Sequence, residues 1–128
     1  MSQFETMRLP VSSTLVAPDG SDVRVLLHVA GGGVAHFELA PGRVSGAVRH
    51  RTVEEIWYVV GGRGEMWRRQ GERSEIVGLE PGTCLTIPLG TDFQFRSLGD
   101  EPLQAIGVTM PNWPGPEEAI QVEGCPDW

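Results

Sequence analysis

The stretch "AVRHRTVEEIWYVVGG", Ala47 to Gly62, decides how this chain is read. Successive residues of an extended strand point to opposite faces, so Glu55, Trp57 and Val59 share one face while Ile56, Tyr58 and Val60 share the other. By the same parity Val48 goes with His50. The stretch therefore predicts two strands, 46–51 and 55–60, closed by a Gly-Gly turn. One imidazole, His50, and one carboxylate, Glu55, stand at a separation that can bring them together. Glu54 has the opposite parity and is expected at solvent or a subunit contact, so the acid pair is not two carboxylates in one site.

The pattern continues on both sides. Short runs rich in Val, Ile, Leu and Phe read as strands at 22–29, 34–40, 64–69, 74–79, 83–88, 92–98 and 103–109. Between them lie "AGGG", "APGR", "GGRG", "RQGE", "EPG", "PLGT" and "GDEP", where Gly supplies positive φ and Pro fixes its own. No long amphipathic helix is visible, and "GPEEAIQVEG" (115–124) is read as at most a short turn. Nine short strands at this spacing hide their edges by packing face to face or by closing, so the expected class is an all-β sandwich or barrel.

Length and composition fit one compact domain over 1–128, with its core at about 22–110, because 40% of the 128 residues are hydrophobic. Ten Lys+Arg against seventeen Asp+Glu give a net charge of −7, which argues against nucleic acid and against an anionic membrane surface. Arg49, Arg51, Arg63, Arg68, Arg69 and Arg73 form the local basic clusters and are read as a solvated face. No run of 18 apolar residues exists and "MSQFETMRLP" lacks a leader pattern, so a soluble, cytoplasmic protein is expected. Two cysteines are too few for a disulfide scaffold, and Cys84 in "TCLTIP" is expected as a reduced core thiol.

After each of two Pro-Gly turns, "LAPG" and "LEPG", the spacing resembles the two motifs of the cupin superfamily. The first motif runs Gly, five residues, His-x-His, three or four residues, Glu, six residues, Gly; Gly42, Glu55 and Gly62 fall on that frame. The second runs Gly, five residues, Pro-x-Gly, two residues, His, three residues, Asn; Gly82, Pro88 and Gly90 match it. The resemblance covers Pro41 to Ser97 and implies a small single-domain cupin with a double-stranded β-helix, or jelly-roll, barrel. It also implies a homodimer.

The family's metal ligands map onto Val48, His50, Glu55 and Phe93, with Ser97 at the place of the second-motif asparagine. A full set of three imidazoles and one carboxylate binds Fe, Mn, Ni or Zn. Here His50 and Glu55 remain, while Val48 and Phe93 have no donor atoms, so no metal is expected to be held firmly. Parity places Val48, Trp57, Val59, Phe93 and Phe95 around His50 and Glu55 as the lining of an apolar pocket. Such a pocket with a few convergent polar groups is the usual form of a small-molecule site.

Three functions fit. In the first, a metal-independent isomerase, cyclase or lyase uses His50 as general acid or base while Glu55 orients it and raises its pKa against the opposing effect of burial. The second is a non-catalytic binder of a small organic molecule. The third is a metal-dependent, dioxygenase-like cupin with an incomplete ligand set. His36 shares a strand face with Glu38 rather than with Phe37 and Leu39, so it is expected outside and exposed; His28 is expected in the core or an interface. Met66 and Trp67 have opposite parity, so one is expected outside, where with Tyr58 it would form an apolar patch. The proline-rich end with Trp113 and Trp128 is expected to pack in extended form over the barrel.

Overall fold

The computed structural model describes residues 3–128. Its strands are β1 (Leu15–Val16), β2 (Asp22–Val29), β3 (Gly32–Leu39), β4 (Val48–His50), β5 (Glu54–Gly61), β6 (Arg63–Gln70), β7 (Arg73–Leu79), β8 (Cys84–Ile87), β9 (Asp92–Leu98), β10 (Leu103–Met110) and β11 (Ala119–Gln121), with one 3-10 turn at Pro116–Glu118. Antiparallel pairing gives a sheet in the order β1-β2-β3-β10-β5-β8 and a second in the order β11-β4-β9-β6-β7. Neighbours such as β3-β10-β5 and β4-β9-β6 are far apart in sequence, which is the crossover pattern of a jelly roll. The fold is the all-β double-stranded β-helix, and all nine expected strands are present.

The turns explain why the spacing was readable. Gly42, Gly62, Gly82 and Gly90 all have positive φ, between 73° and 97°. Gly62 has a second constraint, since a Cβ there would lie 2.2 Å from the Pro102 carbonyl oxygen. A side chain at that turn is excluded by backbone as well as by φ.

The barrel interior tapers along β3 and β10. Their paired inward residues run Leu39–Leu103, Phe37–Ala105, Ala35–Gly107 and Gly33–Thr109. Side-chain volume drops from the first two pairs to the last two. At the full end Leu39, Leu103, Val59, Met66, Leu79 and Phe95 pack into one closed cluster. At the other end small side chains leave space.

Several expectations need correction. Cys84 is exposed, because on β8 it is Leu85 and Ile87 that point inward. Met66 and Trp67 are both buried, at 0% and 3% exposure. Met66 enters the core; Trp67 lies on the outer face, where the C-terminal segment covers it. That segment is fixed by Cys125 N donating to Gln94 Oε1 at 2.8 Å, Gln94 being the register partner of Trp67, while the Arg69 guanidinium sits 5.1 Å from the Trp67 ring. The segment is not merely a turn, since β11 adds a strand to β4.

His36 does point away from the barrel interior but is 2% exposed. Gln104 lies 3.0 Å from its Nε2 and Arg24 3.3 Å from its Nδ1. Arg68 is not on a solvated face: its side chain is 17% exposed and donates to the Thr86 carbonyl and to Glu75 Oε1. Tyr58, Ile56 and Val60 remain exposed on the first sheet. Among the described residues no helix is long and apolar enough to cross a membrane.

Candidate functional site

The open end of the taper encloses a cavity of about 360 Å³. Val48, His50, Glu55, Trp57 and Phe93 line it. Val59 and Phe95 do not: each lies two residues further along its strand, in the filled layer, where Phe95 meets Trp57 edge-on at 4.9 Å. His28 reaches the cavity wall from β2 but is exposed rather than core.

The floor is an aromatic stack. Phe37 and Trp57, from the strands on either side of β10, lie 5.2 Å apart with planes 12° from parallel. They meet only because Gly107 stands between them, since a Cβ there would lie 2.4 Å from Phe37 Cε2. A glycine inside a strand commonly marks such a close approach.

Glu55 sits at the wall of this space at 3% exposure, and its Oε2 accepts a hydrogen bond from the Trp57 indole Nε1 at 2.6 Å. Burial pushes its carboxyl up to about 7; the indole bond opposes this and the nearby Asp19 carboxylate adds to it. Glu55 is thus a carboxylic acid over much of the range below neutrality.

His50 responds in the opposite sense to the same apolar surroundings. It is 6% exposed, packed edge-on against Phe93 at 5.1 Å and Trp113 at 5.0 Å, and its buried Nδ1 has no hydrogen-bond partner. Burial pushes it down to about 4, against an upward pull from Glu118. With Nδ1 unpaired, the ring gains no partner for a second proton. The expectation that Glu55 orients the imidazole and raises its pKa therefore fails: no hydrogen bond joins the two, and the carboxylate that favours the imidazolium is Glu118.

Glu118 belongs to the C-terminal strap. Its carboxylate, 4% exposed, accepts hydrogen bonds from the Thr52 backbone N–H and hydroxyl, and its carbonyl accepts from Arg51 N. Together with the β11–β4 pairing this anchors the segment that brings Trp113 and Asn112 to the cavity wall. Sequence reasoning missed Asp19, Asn112, Gly107 and Glu118. Asp19 lies in the "APDG" turn, and its carboxylate is held by Ser21 N at 2.9 Å and Ser21 Oγ at 2.6 Å. Burial pushes Asp19 up, and the Ser21 bonds only partly counter it.

Val48 and Phe93 offer no donor, Glu55 is engaged by an indole N–H, and no group of three His, Cys, Asp or Glu side chains among the described residues is placed to hold an ion. The donor set does not fit a divalent cation.

The family model described as a cupin domain matches residues 35–109. No protein among the curated sequences matches the chain. Solved structures with the same fold include the capsular polysaccharide assembling protein CapF from Staphylococcus aureus, at TM-score 0.68 and 22% identity over 80% of this chain and 30% of that one. An oxalate decarboxylase variant from Bacillus subtilis aligns at TM-score 0.71 and 15% identity over 84% of this chain and 29% of its own. The chain thus spans less than a third of either protein. An uncharacterised protein with a double-stranded β-helix domain from Klebsiella pneumoniae aligns at TM-score 0.67 and 18% identity, covering 96% of this chain and 99% of that one.

Proposed function

The chain belongs to the cupin-domain family, and on that premise we propose that its barrel binds a small, uncharged, largely apolar organic molecule and performs metal-independent acid–base chemistry on it, as an isomerase, cyclase or lyase. One observation carries this reading: a single apolar cavity of about 360 Å³ holds both Glu55, pushed up to about 7, and His50, pushed down to about 4. Between those values the site contains a neutral acid and a neutral base, the pairing that a proton shift needs. His50 takes a proton from one position of the substrate while Glu55 delivers its own to another. Exchange with water then returns the proton to Glu55 and removes it from His50.

The cavity volume lies within the range of small-molecule sites, and its aromatic floor suits a ring. A charged ligand would have to be desolvated without a counter-ion, which is costly. The test uses 2-naphthol and 2-naphthoate with the metal-stripped protein at pH 6. The expected result is saturable quenching of tryptophan fluorescence by 2-naphthol and at least tenfold weaker binding of 2-naphthoate. Equal affinities would overturn the reading.

A second reading, a non-catalytic binder, is favoured by the Glu55–Trp57 bond, which occupies one carboxylate oxygen without involving His50. Turnover of a bound substrate that Glu55→Gln abolishes, at unchanged affinity, separates the two. A cytoplasmic homodimer is part of the same proposal, supported by the bare Ile56, Tyr58 and Val60 face. Sedimentation at micromolar concentration checks it, and a monomer there would refute it.

A further inference from the structure

Two carboxyl groups line the cavity, Glu55 and Asp19, and only Glu55 comes from a barrel strand. Asp19 is carried in by the tight turn between β1 and β2. Gly20 N donates to the Ala17 carbonyl at 2.9 Å and Ala17 N to the Ser21 carbonyl at 2.8 Å, while Gly46 N reaches across from the β3–β4 connection to the Asp19 carbonyl at 2.7 Å. Gly20, with φ 92°, lets the chain reverse there. The Asp19 backbone is thus fixed from two sides, and its side chain is held at the cavity wall.

The two carboxyl oxygens of Asp19 have different surroundings. Oδ1 accepts both bonds from Ser21, whereas Oδ2 has no hydrogen-bond partner among the described residues. Oδ2 is not sealed in either, since the side-chain polar atoms buried without a partner among those residues are His50 Nδ1 and Arg68 Nε. Glu55 Oε1 and His50 Nε2 are open in the same way: neither is hydrogen-bonded and neither is sealed, although the two side chains are only 3% and 6% exposed. Open polar atoms on an otherwise apolar wall mark where a ligand's polar group is met. The Asp19 carboxylate also favours the protonated form of Glu55, so it acts on the same space and is the first of the two acids to ionise.

We propose that Asp19 Oδ2 sets the specificity of the cavity by accepting a hydrogen bond from a ligand hydroxyl, which makes the ligand a phenol or a ring alcohol. This rests on the binding reading above and narrows it to uncharged molecules that carry a hydroxyl. A hydroxyl gives a carboxylate a charge-assisted bond while staying uncharged itself. An ether oxygen in its place has no proton to donate and would leave the carboxylate oxygen unpaired. The ring is left to the Phe37–Trp57 floor.

The test compares 2-naphthol with 2-methoxynaphthalene on the full chain at pH 7, by tryptophan fluorescence, in wild type and in Asp19→Asn. Because Ser21 supplies two donors, the asparagine amide oxygen takes the place of Oδ1 and its NH2 that of Oδ2, which turns the open acceptor into a donor and keeps the turn. Wild type is expected to bind the naphthol at least tenfold more tightly than the ether. Asp19→Asn is expected to lose that preference, with naphthol binding at least tenfold weaker and the ether unchanged or tighter. Equal affinities in wild type, a preference retained in the variant, or a parallel loss of both ligands would overturn the assignment to Asp19 while leaving the cavity a binding site; binding of neither ligand by wild type would overturn the binding reading with it. A second measurement needs no ligand. The Glu55 titration, followed by carboxyl-carbon NMR, is expected to move down from about 7 in Asp19→Asn as the neighbouring negative charge is removed. An unmoved titration would place Oδ2 outside the cavity and overturn the proposal.

Discussion

The two ends of one barrel interior are built by the same strands and differ in what they hold. At one end Leu39, Leu103, Met66 and Phe95 interlock with almost no exposure; at the other, Gly33, Ala35, Gly107 and Thr109 leave a cavity with an acid and an imidazole at its wall. The hollow end is not a failure of packing. It is produced by the drop in side-chain size along β3 and β10 to Ala35–Gly107 and Gly33–Thr109, and there Glu55 and His50 meet a low dielectric that their partners only partly offset.

The sharpest way to break this contrast is to truncate one phenylalanine from each end. Phe95→Ala empties a filled layer and should cost about 4 kcal/mol, whereas Phe93→Ala enlarges a space that already exists and should cost about 2 kcal/mol less. Urea midpoints read the difference; equal costs would mean that the cavity collapses in solution.

Next in size is the pH dependence. Glu55 has its pKa raised from 4.5 to about 7, so its contribution to stability is lost as pH rises through that window, by about 3 kcal/mol. His50 has its pKa lowered from 6.5 to about 4, so its contribution is lost as pH falls through that window, again by about 3 kcal/mol. The opposing slopes cancel across most of pH 4.5 to 6.5. Glu55→Gln should therefore expose the acid-side loss and His50→Asn the alkaline-side loss. Subtracting the wild-type curve removes the parts due to Asp19 and Asp92. Parallel curves for the two variants would contradict the burial argument.

Gly107→Ala inserts a methyl where Phe37 Cε2 stands and should cost about 2 kcal/mol by overpacking, with loss of 2-naphthol binding as the floor is disturbed. Unchanged binding would show that the Phe37–Trp57 stack is not the floor. The smallest effect is expected from Trp113→Ala, about 1 kcal/mol or less, since Trp113 is only half-buried. Its informative readout is the His50 titration by NMR, which should move up from about 4 towards 6.5 as water reaches the ring.

Much of the fold was legible because its signals are local. Positive-φ glycines at 42, 62, 82 and 90 and two-residue alternation require only near neighbours. The same alternation correctly turned Val48, His50, Glu55, Trp57 and Phe93 towards one interior, yet it could not separate a filled layer from a hollow one. That distinction depends on residues facing each other from distant strands, such as Gly107 beneath the Phe37–Trp57 stack. Burial of Trp67 and His36 escaped for a related reason: parity gives the face, not the segment that later covers it. Glu118 was out of reach because a buried carboxylate bonded to Thr52 across 66 residues leaves no periodic trace.

That long-range bond gives the site an order of assembly. β4 is three residues long and carries both Val48 and His50, with β9 on one side and β11 on the other. During synthesis its outer edge stays without a partner until Ala119–Gln121 has been made, after every other strand of the barrel. The imidazole is therefore seated last, and a chain stalled before Glu118 would hold a formed barrel with an unfinished pocket.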